Sequence, residues 1–140
     1  MNLYILDTNV VSELRKLRPH GAVPAWMNTL VREQFFVSSL TFGELQVGAE
    51  KTRLQDPQKA QEIEEFMDHL SHSVQVLPMD ALCFREWARL MRGKSDALYE
   101  DAMIAATARI HGLIVATRNE TDFGPFGVTI FNPFKVQRER

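Results

Sequence analysis

The sequence predicts an α/β fold in which helices flank a central, mostly parallel β-sheet. Short apolar runs of strand length alternate with longer segments of helical periodicity along the 140 residues, which is the pattern of a parallel sheet. The first run, residues 3–6, is apolar throughout and is typical of a central strand that is covered on both faces. Because 140 residues are the length of one domain, we expect a single domain over residues 1–140.

Short runs are predicted as strands where they are apolar and bounded by polar or turn-forming residues. They cover residues 3–6, 35–38, 74–77, 113–116 and 128–131. The segments between them are predicted as helices. These cover residues 9–15, 24–31, 39–48, a segment that begins at 56–57, 80 to about 93, and 101–111. Elements in this order predict right-handed crossovers between parallel strands.

Capping residues and apolar periodicity support individual helices. Pro24 suits a first helical turn, and Thr41 and Asp80 are available as caps for the helices near them. The apolar stripe predicted for the helix after Asp80 consists of Ala81, Phe84, Ala88 and Met91, with Trp87 alongside. The helix over 101–111 is apolar nearly all round, so we expect it to be buried, and Gly112 ends it.

The composition is that of a globular protein, with 45% hydrophobic and 24% charged residues and a net charge of -2. This charge gives no global attraction to a polyanion, so any contact with nucleic acid must use local basic clusters. The basic residues that group together are Arg15, Lys16 and Arg18 in one segment, and Arg85, Arg89, Arg92 and Lys94 in another. We expect most of them to be ordinary solvated side chains.

The single cysteine, Cys83, excludes a disulfide within the chain and has the apolar neighbours of a buried packing thiol. No continuous apolar run reaches the ~18 residues of a membrane span, and the amino terminus lacks the pattern of a secretory signal. We therefore expect a reduced protein of the cytoplasm with no membrane segment. His69 and His72 are expected to be solvated rather than to bind a metal.

Acidic residues stand near the ends of several predicted strands. They are Asp7 after the first strand, Glu44 on the helix that follows the second, Asp101 at the start of the buried helix, and Asp122 after the fourth strand, preceded by Asn119. Each has a purely structural alternative. Asp7 can cap a helix, Asp101 suits the positive end of a helix dipole, and Asp122 is a common turn residue.

Taken together, these carboxylates predict a site for a divalent cation. Ligands of parallel α/β folds bind beyond the carboxyl ends of the strands, and the carboxylates converge there if strands one, two and four are neighbours. Close carboxylates ionise together only when a cation compensates their repulsion. Hard oxygen ligands select Mg²⁺ or Mn²⁺, and Mg²⁺ keeps waters that a phosphate substrate can displace.

Four segments together resemble the PIN-domain family. They are LDTNVVSEL, SSLTFGEL, EDAMIAATARIHGLIVATRNETDF and VTIFNPF, in this order along the chain. The resemblance is strongest to the VapC-type toxins of bacterial type II toxin–antitoxin modules, including the subgroup called plasmid-stability proteins. It covers residues 3 to about 134. It implies a PIN-like three-layer sandwich and a Mg²⁺-dependent endoribonuclease, with Mn²⁺ as a substitute ion.

The resemblance also implies roles for individual residues. The family's first three acidic positions fall on Asp7, Glu44 and Asp101, and its fourth falls on Asn119 in some members and on Asp122 in others. The catalytic set is then Asp7, Glu44, Asp101 and Asp122, and the metal ligands are Asp7, Asp101, Glu44 and Asn119. Thr8, Asn9 and Thr117 correspond to the polar residues that orient the carboxylates.

The resemblance implies three partners. RNA is the substrate, and Arg118, in the loop of the acidic cluster, is the best candidate for a phosphate contact. A VapB-type antitoxin would bind near the acidic site, and the apolar residues that could line its groove, or simply form core, are Val11, Leu14, Leu17 and Trp26. A homodimer is expected, and Trp87 is a candidate residue for its interface.

Two other functions are compatible with parts of the sequence. One is a catalytically inactive PIN-like module that only binds RNA or a partner, which the amide of Asn119 favours. The other is a phosphoaspartate hydrolase of the HAD type, which also has an aspartate after its first strand. Against it, Asn9 stands where a second aspartate is needed, and no lysine lies close to Asp101.

Overall fold

The strands form one parallel sheet in a computed structural model that describes residues 1–16 and 18–135. Within those residues the strands are β1 (Tyr4–Leu6), β2 (Phe35–Ser38), β3 (Gln75–Leu77), β4 (Ile114–Ala116) and β5 (Ile130–Phe131). Their order in the sheet is β3-β2-β1-β4-β5, and every neighbouring pair is parallel. Strand β1 therefore lies between β2 and β4, which is the arrangement that the predicted convergence of carboxylates requires.

Helices connect the strands and cover both faces of the sheet. In the described part of the chain they are α1 (Thr8–Leu14), α2 (Ala22–Met27), α3 (Ser39–Arg53), α4 (Pro57–Ser73), α5 (Ala81–Leu90), α6 (Tyr99–His111) and α7 (Glu120–Phe123). The predicted α/β alternation is confirmed. Helix α3 runs beyond its predicted end because Gly48 stays helical, and its amino-terminal cap is Ser38, whose hydroxyl accepts from the Leu40 amide, instead of the predicted Thr41.

The two faces of the sheet carry separate halves of the core. Tyr4 and Leu6 of β1 point into one half with Val11 and Trp26, while Ile5 points into the other, as the alternation of side chains along a strand requires. The second half is filled by α6, whose Ala102, Ile104, Ala105 and Ala108 are buried as predicted. Burial of one large apolar side chain stabilises a fold by about 1.5–3 kcal/mol.

The apolar stripe predicted for α5 is wrong at three of its four residues, whereas Met91 and the neighbouring Trp87 are partly buried and pack against the core. Ala81, Phe84 and Ala88 are exposed, and the buried residues of α5 are Cys83 and Glu86. Helix α5 is turned so that Glu86 meets Arg109 of α6, with Glu86 Oε2 2.7 Å from Arg109 Nε. An ion pair between two helices thus overrides the periodicity of the apolar residues, whereas burial of Cys83 is confirmed.

Of the two interpretations of the apolar residues of the early helices, core packing is confirmed and the groove is wrong for Val11, Leu14 and Trp26. Val11 is fully buried and Trp26 is 7% exposed, so both belong to the core. Leu14 is partly buried and packs against the same core. Leu17 lies outside the described residues. Among the helices that the structure describes, each is too short or too polar to cross a membrane.

Candidate functional site

The topology brings the acidic residues to the carboxyl end of the central strands. Asp7 directly follows β1, and Glu44 lies near the start of α3, which begins where β2 ends. Helix α6 leads back to the start of β4, so its first turn, with Asp101, lies at the same end of the sheet. Asp122 lies on α7, just beyond β4. Residues that are far apart in the sequence thus face one another.

Asp7 is the most buried of these carboxylates, with 5% of its surface exposed. Its Oδ1 accepts a hydrogen bond of 2.8 Å from the Thr8 amide, so it caps α1. Its Oδ2 accepts from Asn9 Nδ2 and from the Thr117 hydroxyl, each at 2.8 Å. The capping role and a role in the site are therefore compatible, and three donors fix the orientation of the carboxylate.

Glu44 is held by a hydroxyl from the first residue of α1. The Thr8 hydroxyl donates to Glu44 Oε1 at 2.7 Å and lies 2.9 Å from the hydroxyl of the buried Thr41. The Thr8 side chain therefore links the start of α1 to α3. Sequence reasoning assigned Thr41 to a helix cap and missed this contact, although its spacing of three residues from Glu44 puts both on one face of α3.

Burial and mutual repulsion raise the pKa values of three carboxylates. For Asp7 and Glu44, desolvation is the main cause, and it outweighs the hydrogen bonds from Thr117 and Thr8 respectively. The pKa of Asp101 rises from 3.8 to about 6, first through desolvation. Repulsion adds to this rise, from Asp7, Asp122, Glu44 and Glu100 in that order.

Glu100 is a further member of this acidic environment that sequence reasoning missed. It is exposed, yet its charge raises the pKa of both Asp101 and Glu44. The available signal was its position next to Asp101 in the first turn of α6. Glu100 therefore adds to the negative potential at the rim of the site.

The donor set suits a hard divalent cation. Within residues 1–16 and 18–135, the carboxylates of Asp7, Glu44, Asp101 and Asp122 form no salt bridge, so no side-chain cation offsets their charge. In the same residues, no three acidic, histidine or cysteine side chains are placed to hold one ion together. This arrangement fits Mg²⁺, which is commonly bound through one or two carboxylates and keeps several waters.

The two candidates for the fourth position differ in their surroundings. Asp122 is half-buried, and its charge raises the pKa values of Asp7 and Asp101. Asn119 is exposed at the start of α7, and its backbone amide donates to the Thr117 hydroxyl at 2.9 Å. Asp122 is thus the residue that interacts with the acidic cluster, while Asn119 is linked to it through Thr117, which is itself fully buried.

Arg118 is an exposed residue whose backbone adjoins this cluster. Its backbone amide donates to Asn9 Oδ1 at 3.3 Å, and its guanidinium carbon lies 4.3 Å from the centre of the Phe134 ring. The other predicted basic residues are exposed or half-buried, and Lys16 and Arg89 pair with Glu13 and Glu86. His69 and His72 are exposed, as predicted, on α4.

The family model that matches the chain is the PIN domain, over residues 4–124. Among curated relatives, VapC ribonuclease Y4jK of Sinorhizobium fredii is 36% identical over 143 aligned residues, which cover 95% of this chain and 99% of the relative. Toxin FitB of Neisseria gonorrhoeae is 32% identical over 140 aligned residues, covering 94% of this chain and 99% of that protein.

A solved structure with the same fold is FitAcB from Neisseria gonorrhoeae. It superposes with a TM-score of 0.78 at 32% sequence identity, covering 96% of this chain and 100% of that chain. The similarity therefore extends over both halves of the core and all the elements that carry the acidic residues.

Proposed function

This chain belongs to the PIN-domain family, and from that premise we propose that it is the toxin of a type II toxin–antitoxin pair and cleaves RNA with a divalent metal ion. The observation that carries the proposal is the group of carboxylates at the carboxyl end of β1, β2 and β4, which no side-chain cation compensates within the described residues. One relative is named a ribonuclease and another a toxin, and these names support the proposed RNA cleavage and the proposed toxin role.

We assign the metal to Asp7 and Asp101, with water completing its coordination. Asn9 and Thr117 donate to Oδ2 of Asp7 and the Thr8 amide donates to Oδ1, so these hydrogen bonds fix the orientation of the carboxylate. A bound Mg²⁺ would supply the positive charge that stabilises the developing charge of the leaving 3′ oxygen. Asp122 and Asn119 are the residues available to complete a second ion site.

We assign to Glu44 the role of orienting or deprotonating the attacking water. Its raised pKa makes it a better proton acceptor than an ordinary glutamate, and the Thr8 hydroxyl holds it in place at 2.7 Å. Alternatively, Glu44 is a ligand of a second ion. In-line attack of water on the phosphodiester would leave a 5′-phosphate and a 3′-hydroxyl.

Substrate and partner assignments rest on the family. We assign RNA as the substrate, with Arg118 as a phosphate contact, and a VapB-type antitoxin as the inhibitor that the cell needs. A homodimer and action in the cytoplasm belong to the same proposal. Membership of the PIN-domain family removes the support for the HAD-type alternative.

The test is RNA cleavage by the purified chain with Mg²⁺, with EDTA, and in the variant Asp7→Asn. We expect cleavage with Mg²⁺, and its loss in both other samples. Asp56→Asn is the matched control, since Asp56 is an exposed helix cap and asparagine caps as well as aspartate. Cleavage that persists with EDTA and in Asp7→Asn would exclude the metal mechanism.

An inactive binding module is the second candidate, because Asn119 is an amide where some members of the family have an acid. A titration with Mn²⁺ separates the two functions. The nuclease requires saturable binding that Asp7→Asn weakens, whereas a binding module would show RNA affinity without any affinity for Mn²⁺.

A further inference from the structure

Arg118 is fixed to the acidic site at its backbone. The Arg118 amide donates to Asn9 Oδ1 at 3.3 Å, and Asn9 Nδ2 in turn donates to Asp7 Oδ2 at 2.8 Å. The start of the arginine side chain is therefore two hydrogen bonds from a carboxylate assigned to the metal. A long flexible side chain anchored only at its backbone would still lose considerable entropy on binding a ligand.

Phe134 fixes the other end of the same side chain. The guanidinium carbon of Arg118 lies 4.3 Å from the centre of the Phe134 ring, which is the distance of a cation–π contact. Stacking on a ring covers one face of the guanidinium but leaves its N–H groups at the edge. Those groups are the ones that bind a phosphate in a two-pronged manner.

The Phe134 ring is itself held rigidly by the segment after β5. It is 7% exposed and belongs to the core, and the His20 ring meets it edge-on at 5.7 Å. The Phe134 amide donates to Asn132 Oδ1 at 2.9 Å, and Asn132 Nδ2 donates to Glu120 Oε2 at 3.1 Å. The segment after β5 is thus attached to Glu120, the first residue of α7, which follows Arg118 by two positions in the sequence.

The guanidinium is held in this way without being neutralised. Among residues 1–16 and 18–135, no carboxylate forms a salt bridge with the exposed Arg118 side chain. Lys16, which pairs with Glu13 at 2.6 Å, is the main cause that lowers the pKa of Glu13, and the charge of Arg118 adds a smaller lowering. A stacked, unpaired arginine at this place is available to an anionic ligand.

We propose that Phe134 is a positioning residue that holds the Arg118 guanidinium ready for an RNA phosphate next to the acidic site. This inference rests on the proposed function, since RNA is the ligand that Arg118 meets. Phe134 itself, being buried, touches neither substrate nor metal, so it acts through Arg118.

The test is steady-state cleavage of a fluorescent RNA substrate with Mg²⁺ by the full chain, comparing Phe134→Leu with wild type. Loss of the cation–π contact is expected to raise KM by about two- to fivefold with kcat nearly unchanged. Phe134→Tyr keeps an aromatic face and is expected to restore the wild-type KM. Phe131→Leu is the matched control, because Phe131 packs in the same half of the core against Tyr4 and Trp26.

A double-mutant cycle distinguishes positioning from general damage to the fold. In Arg118→Ala, the further change Phe134→Leu is expected to leave KM unaltered, because the group that the ring positions is gone. Should Phe134→Leu fail to fold, Arg118→Lys decides the question at an exposed position, since lysine keeps the charge but cannot stack in the same way. It is then expected to raise KM as Arg118→Ala does.

Three results would overturn the inference. They are an unchanged KM in Phe134→Leu, additive effects in the cycle, and a wild-type KM in Arg118→Lys. Wild-type protein that cleaves no RNA with Mg²⁺ would overturn the proposed function and this inference with it. Wild-type cleavage combined with any of the three results would overturn the inference alone.

Discussion

The carboxylates at the two ends of the sheet have opposite electrostatic surroundings. At the amino end of β4 and β5, Glu86 lies beside a cavity of about 430 Å³ and pairs with both Arg89 and Arg109, at 2.8 and 2.7 Å. These partners lower its pKa. At the carboxyl end, Asp101 has no such partner among the described residues, and desolvation and repulsion raise its pKa to about 6.

This difference separates a carboxylate that stabilises the fold from the carboxylates that we propose bind a metal ion. An unpaired buried charge is unfavourable, so a fold that keeps several together must obtain its stability elsewhere. Here the apolar core and ion pairs such as that of Glu86 stabilise the protein. The carboxyl end then retains negative charge that an external cation can neutralise.

The largest expected effect is on cleavage in Asp101→Asn. Removing a ligand charge should reduce kcat/KM for RNA on the order of 10³-fold, equivalent to about 4 kcal/mol. The melting temperature should not fall, because the variant relieves repulsion with Asp7 and Glu44. Cleavage assays and thermal denaturation of the same preparation check this. A melting temperature below that of wild type would contradict the expected relief of repulsion at the carboxyl end of the sheet.

The next effect is on stability in Glu86→Ala. Among the described residues, the change leaves Arg109 with only the carbonyl oxygens of Phe126 and Gly127, so we expect a loss of about 2 kcal/mol in the free energy of unfolding. RNA cleavage at 25 °C should be unchanged. Denaturant unfolding measures the loss, with the exposed Glu62→Ala as control. Equal stability of the two variants would show that the pair contributes nothing.

Thr8→Val tests whether the Thr8 hydroxyl orients Glu44 at the carboxyl end of the sheet. It removes the hydroxyl that donates to Glu44 and contacts Thr41, so Glu44 loses its fixed orientation. We expect kcat to fall about tenfold, as is usual when a group that orients a site residue is removed. Thr121→Val, at an exposed threonine of α7, is the control. Equal kcat values for the two variants would show that the Thr8 hydroxyl does not orient Glu44 for catalysis.

The smallest effect is a pH dependence of stability in the metal-free protein. The pKa of Asp101 is about 6 in the fold against an ordinary 3.8, so the fold binds this proton more tightly than the unfolded chain does. The resulting stabilisation is complete below pH 3.8 and is lost as the pH rises through 6. Because the group is only half-buried, we expect about 1 kcal/mol.

Asp101→Asn makes this contribution measurable. The variant should gain stability relative to wild type at pH 8 and gain little at pH 4, as determined by urea unfolding with EDTA present. A difference that does not depend on pH would mean that Asp101 titrates normally.

Local signals predicted much of the fold, while contacts between distant elements decided the rest. Strand β2 has its predicted bounds, because an apolar run flanked by polar residues is a local pattern. Asp7 and Asp101 were found because a carboxylate directly after a buried strand, or opening a buried helix, conflicts with its surroundings. The prediction that the carboxylates converge required the first, second and fourth strands to be neighbours, and only the structure supplies this order.

The errors have a common cause. The buried face of α5 was mispredicted because Glu86 faces inward to meet Arg109, which is 23 residues away. Thr41 was assigned to a cap because its partner Thr8 is 33 residues away in the sequence. Phe134 is the last residue of the segment VTIFNPF, but its contact with Arg118 could not be predicted, because the two residues are 16 positions apart and meet only in the folded chain.

The central claim is that the carboxyl end of the sheet binds a divalent cation through carboxylates that include Asp101. Calorimetric titration of the metal-free protein with Mn²⁺ at pH 6, in two buffers of different ionisation enthalpy, tests it most directly. We expect saturable binding with release of about half a proton per ion, because Asp101 is half-protonated at that pH. Proton release should fall in Asp101→Asn. Absence of Mn²⁺ binding to the wild type, or unchanged proton release in the variant, would contradict the claim.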